Sequence, residues 1–462
     1  MSTRHSAHGT PGANVEEEEE SLLRRSTYYN NAPSKLPGTP GQSGRTWKLI
    51  LSIFENVSLV CWLVVGVLIF LCLVVLVLAE GRSRQNPLVT GVETAIAVRK
   101  GDTDPRAFQF SVLENGLQVL LVSDPNADKA GAALDVRVGH FDDPEDTPGL
   151  SHLLEHMLFL GTKKFPEEDA FDKFLSTKGG MSNAYTSKED TNYHFEVLPD
   201  ALEKGLEMFA SFFVEPLLNP ERIGRERKAV DSENEKNLQN DEWRFTQLLR
   251  STSNPNHPYH KFGTGNHYTL KDKHVKNKTR TSNGTKSLHA ALVEHHAKFY
   301  SAPQMRLVVL GRADVTQLES LARQYFSEIP SPRHAIPIQK FGYPKVKART
   351  PKQMGLRYDI IPVEDVRMLQ MFWLLPPTEK KYRKKTLDYI MNILSGEGVG
   401  SIHAALHTEG LVTEVSGGAE DGSSVHNFFG MKLYLTAKGL EKIDHIITVV
   451  YAYINMLRQN GP

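Results

Sequence analysis

The stretch GLSHLLEHMLFLGT, residues 149–162, is mostly leucine, methionine and phenylalanine, yet it contains two histidines and a glutamate. His152, Glu155 and His156 stand at positions i, i+3 and i+4, so in a helix all three share one face. A Thr-Pro pair at 147–148 predicts the helix start, as a cap residue followed by a proline in the first turn. Three ionisable groups on a buried helix face are costly unless something pairs with them. The stretch therefore predicts a helix that binds a metal ion.

The predicted metal is zinc, which in catalytic sites usually takes three protein ligands and keeps a water in the fourth position. His152 and His156 supply two nitrogen ligands, whereas Glu155 is better placed to act on the water. A second predicted helix carries Glu226 and Glu233, which are two turns apart and project from one face. One of them can ligate the metal while the other orients a ligand. The alternative, core histidines satisfied by packing, is disfavoured by this glutamate pair.

The overall charge is balanced, because 54 Lys and Arg face 54 Asp and Glu among 462 residues, which gives no support to a nucleic-acid partner. Residues 57–79 form a charge-free run rich in valine and leucine that is long enough to cross a bilayer. Its length and position favour a signal anchor over a cleaved signal peptide. We therefore expect a single-pass membrane protein in contact with a lipid bilayer. The flanking charges leave the orientation open, and a single early span after a polar tail favours type II, with the N-terminal tail in the cytosol.

The order of predicted elements indicates an α+β fold with two related αβ domains, each a mixed sheet packed by helices, after one transmembrane helix and a disordered tail. Prolines between residues 330 and 337 mark a linker, beyond which the strand and helix pattern starts again without the metal triad. The predicted segments are a disordered tail (1–56), a transmembrane anchor (57–79), a juxtamembrane spacer (80–107), a catalytic domain (108–329) and a second, inactive domain (330–462).

The zinc-binding stretch resembles a known family of peptidases. His-Leu-Leu-Glu-His at 152–156 matches the inverted zinc signature His-x-x-Glu-His of the inverzincin, or pitrilysin-type, peptidases. Four more stretches look like the N-terminal half of the insulysin branch, the insulin-degrading enzymes: GGMSNAYTSKEDTNYHFEV (179–197), ERKAVDSENEKN (226–237), HPYHKFGTGNHYTL (257–270) and SGEGVGS (395–401).

The resemblance implies roles for individual residues. It implies one zinc ion per chain on His152, His156 and Glu233, with Glu155 as general base and Glu226 supporting the ligands. It also implies substrate contacts: Phe159 beside the scissile bond, Asn183, Ala184 and Tyr185 on a strand that binds the peptide backbone, and an exosite of Glu397, Val415 and Gly417 that anchors the substrate N-terminus.

The expected function is a membrane-anchored zinc endopeptidase that hydrolyses peptides. In insulysins a second half closes over the first, so the resemblance implies that the domain 330–462 is incomplete and that a C-terminal half or partner subunit contributes. The alternative is a noncatalytic peptide-binding or assembly subunit, against which the intact zinc residues argue. A structural metal site would have no use for Glu155.

A second histidine pair, His403 and His407, also stands at i, i+4 on a predicted helix. No glutamate base lies between the two histidines, and no third ligand is apparent in the sequence. We therefore expect a surface or packing role for this pair.

Overall fold

The computed structural model describes residues 98–274, 285–331 and 346–460, and within them the chain forms two principal β-sheets with helices packed against them. The strands are β1 (Ala107–Val112), β2 (Gln118–Ser123), β3 (Ala130–Val136), β4 (Met181–Thr186), β5 (Thr191–Val197), β6 (Lys273–His274), β7 (Thr285–Lys286), β8 (Met305–Gly311), β9 (Met368–Leu375), β10 (Val412–Glu420) and β11 (Asn427–Leu435). The α-helices are α1 (Leu150–Leu158), α2 (Ala170–Thr177), α3 (Leu202–Val214), α4 (Pro220–Asn237), α5 (Asp241–Ser251), α6 (Leu288–Phe299), α7 (Val315–Phe326), α8 (Thr386–Leu394), α9 (Ile402–Thr408), α10 (Ala437–Leu440) and α11 (Ile443–Asn460).

The first sheet has six strands in the order β1-β2-β8-β3-β5-β4. It is mixed, because β2 and β8 run parallel while the other neighbours are antiparallel. Buried and half-buried residues alternate along β3, as expected for a strand with one face on a core. That core includes Leu134 of β3, Val309 of β8 and the α3 side chains Phe209 and Phe213. In this order β4 is an edge strand, with one side of its backbone open.

Helix α1 buries its apolar face in this first core through Leu150, Leu153, Leu154, Met157 and Leu158. The helix begins at Leu150, two residues after the proline that the sequence pattern predicts as the first helical position. The residue before it, Gly149, has a φ of 90°.

A Cβ atom on Gly149 would lie 2.3 Å from the Cα of Gly265, so glycine is required here for both conformation and space. The cap itself comes from upstream, because Asp143 Oδ2 accepts a hydrogen bond of 2.7 Å from the Gly149 N–H. A carboxylate at this end of a helix satisfies N–H groups that have no partner within the helix.

The second sheet has three antiparallel strands in the order β10-β11-β9. Helices α8, α9 and α11 cover one side and form a second core with it, which includes Leu406, Met431, Leu433 and Ile446. All described residues belong to one compact unit. A small cluster of Phe141, Tyr259, Ala348 and Phe428 joins the two sheets. The prediction of αβ domains in which helices pack on a sheet is confirmed at this level. The prediction that each sheet is mixed holds for the first sheet, which contains the parallel pair β2 and β8, but is wrong for the second, because its strands are antiparallel neighbours.

The predicted single-pass membrane localisation is corrected. The expected tail, the span 57–79 and most of the spacer lie outside the described residues, and no helix within those described is long and apolar enough to cross a bilayer. The two longest, α4 and α11, have 18 residues each; α4 is rich in charged side chains, and α11 packs Ile446 and Val450 into the second core. No lipid contact therefore enters the function proposed below.

Candidate metal centre

Three side chains from two helices converge on one point. His152 and His156 project from α1 and Glu233 from α4, and one potential ligand atom of each lies within 4.8 Å of the others. Glu233 Oε2 is 3.3 Å from His152 Nε2, and Glu233 Oε1 is 3.6 Å from His156 Nε2. Across the three described ranges, this is the one such group of histidine, cysteine and acidic side chains.

These separations fit a single zinc ion. In a tetrahedral site, ligand atoms at ~2.0–2.1 Å from the metal lie about 3.3–3.5 Å from one another. The two distances from Glu233 to the histidine nitrogens, 3.3 and 3.6 Å, are close to that value. The contact with His152 also lowers the pKa of the Glu233 carboxyl against its partial burial, which keeps it ionised as a ligand must be.

Each histidine has a partner for the ring nitrogen that faces away from Glu233. His152 Nδ1 lies 2.7 Å from the backbone oxygen of Thr264 and donates to it, which leaves the Nε2 lone pair free. His156 Nδ1 lies 3.4 Å from Glu226 Oε2, and the Glu226 side chain is only 13% exposed. Carboxylates and carbonyls in this position fix the tautomer and orientation of metal-ligating histidines.

Glu155 is on the same helix face but is not a member of the ligand group. Glu155 is 7% exposed, and its Oε2 accepts a hydrogen bond of 2.6 Å from the Thr186 hydroxyl on β4. Burial raises the pKa of the Glu155 carboxyl above its ordinary value, although the two histidines and Thr186 act in the opposite direction. A buried carboxyl with a raised pKa beside a metal site is suited to accept a proton.

The start of α1 is fixed by a buried polar network. Asp143 Oδ1 accepts hydrogen bonds from the Ser151 N–H and hydroxyl at 2.9 and 2.7 Å, and the same hydroxyl lies 2.9 Å from His295 Nε2. Burial raises the pKa of Asp143 to about 6 against these hydrogen bonds. Because Ser151 directly precedes His152, this network holds the first ligand in place along the helix axis.

The predicted substrate residues of the first sheet region lie on β4 and directly after the last residue of α1. Asn183, Ala184 and Tyr185 all lie on edge strand β4, and the Ala184 N–H donates to the Asn183 side chain at 2.9 Å instead of to a strand neighbour. Phe159 follows the last turn of α1, where its ring packs on Tyr193 and Phe212. The structure therefore gives β4 an open backbone edge and places Phe159 one turn beyond His156.

The predicted exosite residues belong to the second sheet. Val415 and Gly417 are on β10, an edge strand of that sheet, and Glu397 is exposed in the loop between α8 and α9. Val415 is buried in the second core, so it supports the strand from behind. A Cβ on Gly417 would lie 2.2 Å from the Gly430 oxygen, so the backbone approaches closely there.

Three supporting residues were not assigned a role from the sequence: Asp143, Thr186 and Thr264. Thr186 and Thr264 lie within two of the stretches that resemble insulysins, which was the available signal for them. Asp143 belongs to none of those stretches. Thr186 is 31 positions from its partner along the chain, Thr264 is 112 positions away and Asp143 is 8 positions away, so local spacing does not reveal them.

Comparison with known protein families gives matches to both parts of the chain. The family described as Insulinase (Peptidase family M16) matches residues 118–256, and the Peptidase M16 inactive domain matches residues 288–462. The insulin-degrading enzyme of Mus musculus is 40% identical over 82% of this chain and 36% of its own length. The A-factor-processing enzyme of Saccharomyces cerevisiae is 38% identical over 79% and 34%, respectively. The chain thus spans about a third of the length of these relatives.

Solved structures show the same fold. The crystal structure of pitrilysin is similar with a TM-score of 0.71 and 32% identity, over 80% of this chain and 38% of that one. A Helicobacter pylori protease, at 20% identity and a TM-score of 0.59, supports the fold alone. A relative from Arabidopsis thaliana, 38% identical over 82% of this chain and 37% of its own, is named a peroxisomal insulin-degrading enzyme-like protein. That name is a second finding against the predicted single-pass membrane localisation.

Proposed function

Because the chain belongs to peptidase family M16, we propose that it is a zinc endopeptidase in which His152, His156 and Glu233 hold the metal and Glu155 is the general base. The observation that carries the proposal is the position of Glu155. It is buried on the face that bears both histidines, yet it is held by Thr186 and stands outside the ligand group. A structural zinc site has no use for such a residue, whereas a hydrolytic one requires it.

Each residue of the proposed site has its own part in the hydrolysis. A bound zinc ion lowers the pKa of its water toward ~7 and polarises a peptide carbonyl. Glu155 accepts the proton of the attacking water on Oε1, because Oε2 already accepts the Thr186 hydrogen bond. The protonated carboxyl then delivers that proton to the departing amine nitrogen. Glu226 and the Thr264 carbonyl hold the two histidines with their Nε2 lone pairs toward Glu233.

A peptide substrate binds to the open edge of β4 as an added strand, with its backbone opposite Asn183, Ala184 and Tyr185. Two features support this mode: among the described strands β4 has a neighbour on one side only, and Thr186 at its end contacts the general base. Phe159 lines the adjoining pocket. Glu397 and the β10 edge at Gly417 hold the N-terminal part of the substrate.

A C-terminal half or a partner subunit belongs to this proposal. The chain spans 36% of the length of the mouse relative and 34% of the yeast one, and a C-terminal half or partner would bring in groups that lie elsewhere in those proteins. Groups that position a substrate lower the activation free energy of the reaction by several kcal/mol, on the order of the effects seen for well-oriented reactants. We expect slow hydrolysis by these 462 residues alone, and faster hydrolysis when a C-terminal half is added.

The test is hydrolysis of a short fluorogenic peptide by zinc-loaded wild type and by the matched variant Glu155→Gln. We expect measurable turnover by wild type and a loss of at least 10²-fold in the variant, the usual scale for a general base. Addition of a C-terminal half from a family member should raise only the wild-type rate. Equal rates for the two proteins, with and without the added half, would contradict the proposal and favour a noncatalytic peptide-binding subunit.

A further inference from the structure

The turn that joins β4 to β5, residues 187–190, is held by the second sheet at two points. Lys188 forms an ion pair with Asp421, in the turn between β10 and β11. In the same turn, Ser424 donates its N–H to Glu189 Oε2 at 2.7 Å and its hydroxyl to Glu189 Oε1. We call these four side chains and the Ser424 N–H the interdomain clamp.

The ion pair of the clamp is shielded from water. The side chains of Lys188 and Asp421 are 17% and 24% exposed, whereas exposed pairs contribute little to stability. Burial acts to raise the pKa of the Asp421 carboxyl, yet the positive charges of Lys188 and Arg250 hold it below its usual value. Asp421 also has a φ of 37°, a conformation that persists only where the surroundings fix it. This turn is therefore built to hold the carboxylate in one place.

The opposite side of the β4–β5 turn rests on the backbone of residues 139–141. The N–H and Nδ1–H of His140 both donate to the Ser187 oxygen, at 3.0 and 2.8 Å, and the Phe141 N–H donates to the Lys188 oxygen at 2.9 Å. A Cβ on Gly139 would lie 2.4 Å from the Lys188 carbonyl carbon. The turn is thus enclosed between the first domain and the clamp.

The position of this turn determines two features of the metal centre. Thr186 directly precedes the turn and donates to Glu155 Oε2 at 2.6 Å. The rest of β4 is the open edge, which the described part of the chain pairs on one side only. A shift at the turn therefore moves the hydrogen-bond donor of Glu155 and the edge together.

We propose that Lys188 and Glu189 are positioning residues, through which the second domain holds Thr186 and the β4 edge in the arrangement that hydrolysis needs. This inference rests on the proposed function and extends it to the second domain. That domain acts here on the catalytic edge, separately from any contact it makes with substrate. Because displacements of about 1 Å can cost 10²-fold in rate, loss of one clamp point should be visible in kcat.

The experiment compares wild type, Glu189→Ala and Glu189→Gln, with Glu196→Ala as the matched control. Glu196 is on β5, next to β4, and forms an exposed ion pair with Lys129 away from the clamp. The readouts are zinc content, backbone hydrogen exchange of residues 181–190, and kcat and KM for a short peptide. The Gln side chain keeps an oxygen that can accept from the Ser424 N–H.

For Glu189→Ala we expect one zinc per chain, faster exchange in residues 181–190 and a kcat at least about tenfold lower. Glu189→Gln should recover part of both losses, and Glu196→Ala should match wild type. Unchanged exchange in Glu189→Ala would overturn the inference, whether or not the chain hydrolyses peptides. Faster exchange in Glu189→Ala together with a kcat equal to that of wild type would also overturn it. Loss of zinc in both Glu189 variants would do so too. Absence of turnover in wild type would count against the proposed function, while exchange would still decide whether the clamp holds the edge.

Discussion

Two helices of this molecule carry histidines four residues apart, and their surroundings differ. On α1 the rings of His152 and His156 are 4.9 Å apart at 82°, half-buried, and face two glutamates from α4. On α9 the rings of His403 and His407 are 5.2 Å apart and stacked at 30°, with His403 half-buried and His407 exposed. Within the described residues, no carboxylate completes a ligand group with the α9 pair. Spacing brings two rings together, but a facing helix makes the metal centre.

The largest expected difference between the two pairs is in zinc binding. His156→Ala removes one of three ligands and should abolish stoichiometric zinc after dialysis against trace metal, measured by elemental analysis. His407→Ala is the matched variant on α9 and should retain the wild-type content. Equal zinc contents in the two variants would remove the distinction between the helices.

Glu226 should affect zinc affinity without being a ligand. Its carboxylate lies 3.4 Å from His156 Nδ1, and loss of such a partner costs about 10–100-fold in metal affinity. Glu226→Gln should therefore still bind zinc, with a dissociation constant raised by that factor in a competition titration with a chelator. Glu235→Gln, on an exposed position of α4, is the control and should bind as wild type. A stoichiometric loss in Glu226→Gln would make Glu226 a ligand.

Acid should weaken the part of the fold where the two sheets meet. Burial lowers the pKa of His257 and of His426 to about 4, below the ordinary value of 6.5. The unfolded chain therefore binds more protons between those values, so the free energy of unfolding is highest above pH 6.5 and falls as the pH drops toward 4.

The expected slope is about 1.4 kcal/mol per pH unit for each fully buried neutral histidine. His426→Gln should lower the pH dependence of the free energy of unfolding by about 1.4 kcal/mol per pH unit, which corresponds to one proton. Urea titrations at pH 7 and pH 5 measure this change. The α9 variant His403→Ala should leave that slope unchanged. A profile that is flat in wild type would show that these histidines are hydrated in the folded state.

The smallest effect is expected on α9. His407 is exposed and should contribute less than about 0.5 kcal/mol to the free energy of unfolding, as is usual for surface positions. Urea unfolding of His407→Ala at neutral pH measures this directly. A loss above about 2 kcal/mol would mean that the pair has a structural role in the second domain.

The two regions also show which features are readable from a sequence. The spacing of His152, Glu155 and His156 is local, and a helix converts it directly into a shared face. The residues that hold this face come from elsewhere: Thr186 from β4 and Thr264 from a loop, each set by packing that no local pattern encodes. The helix start was misplaced for the same reason, because the cap is the side chain of Asp143.

The sheets packed by helices were also readable, because alternating and helical periodicities follow local burial, but the antiparallel order of the second sheet was not. The interdomain clamp was not, since its partners Glu189 and Ser424 are 235 residues apart and both look like ordinary turn residues. The membrane localisation rested on the composition of one segment, and neither the described helices nor the peroxisomal relative supports it. Local physics thus predicted the elements and the histidine pair of α1, whereas Glu233 was singled out only by the family resemblance and long-range contacts set how these residues are held.

The central claim is that two glutamates near the same histidines have different roles, the half-buried Glu233 as ligand and the buried Glu155 as base. The most direct test measures zinc content and peptide hydrolysis together in wild type, Glu233→Gln and Glu155→Gln. We predict about one zinc per chain in wild type and in Glu155→Gln, no stoichiometric zinc in Glu233→Gln, and turnover by wild type alone. Loss of zinc in Glu155→Gln as complete as in Glu233→Gln would contradict this division of roles.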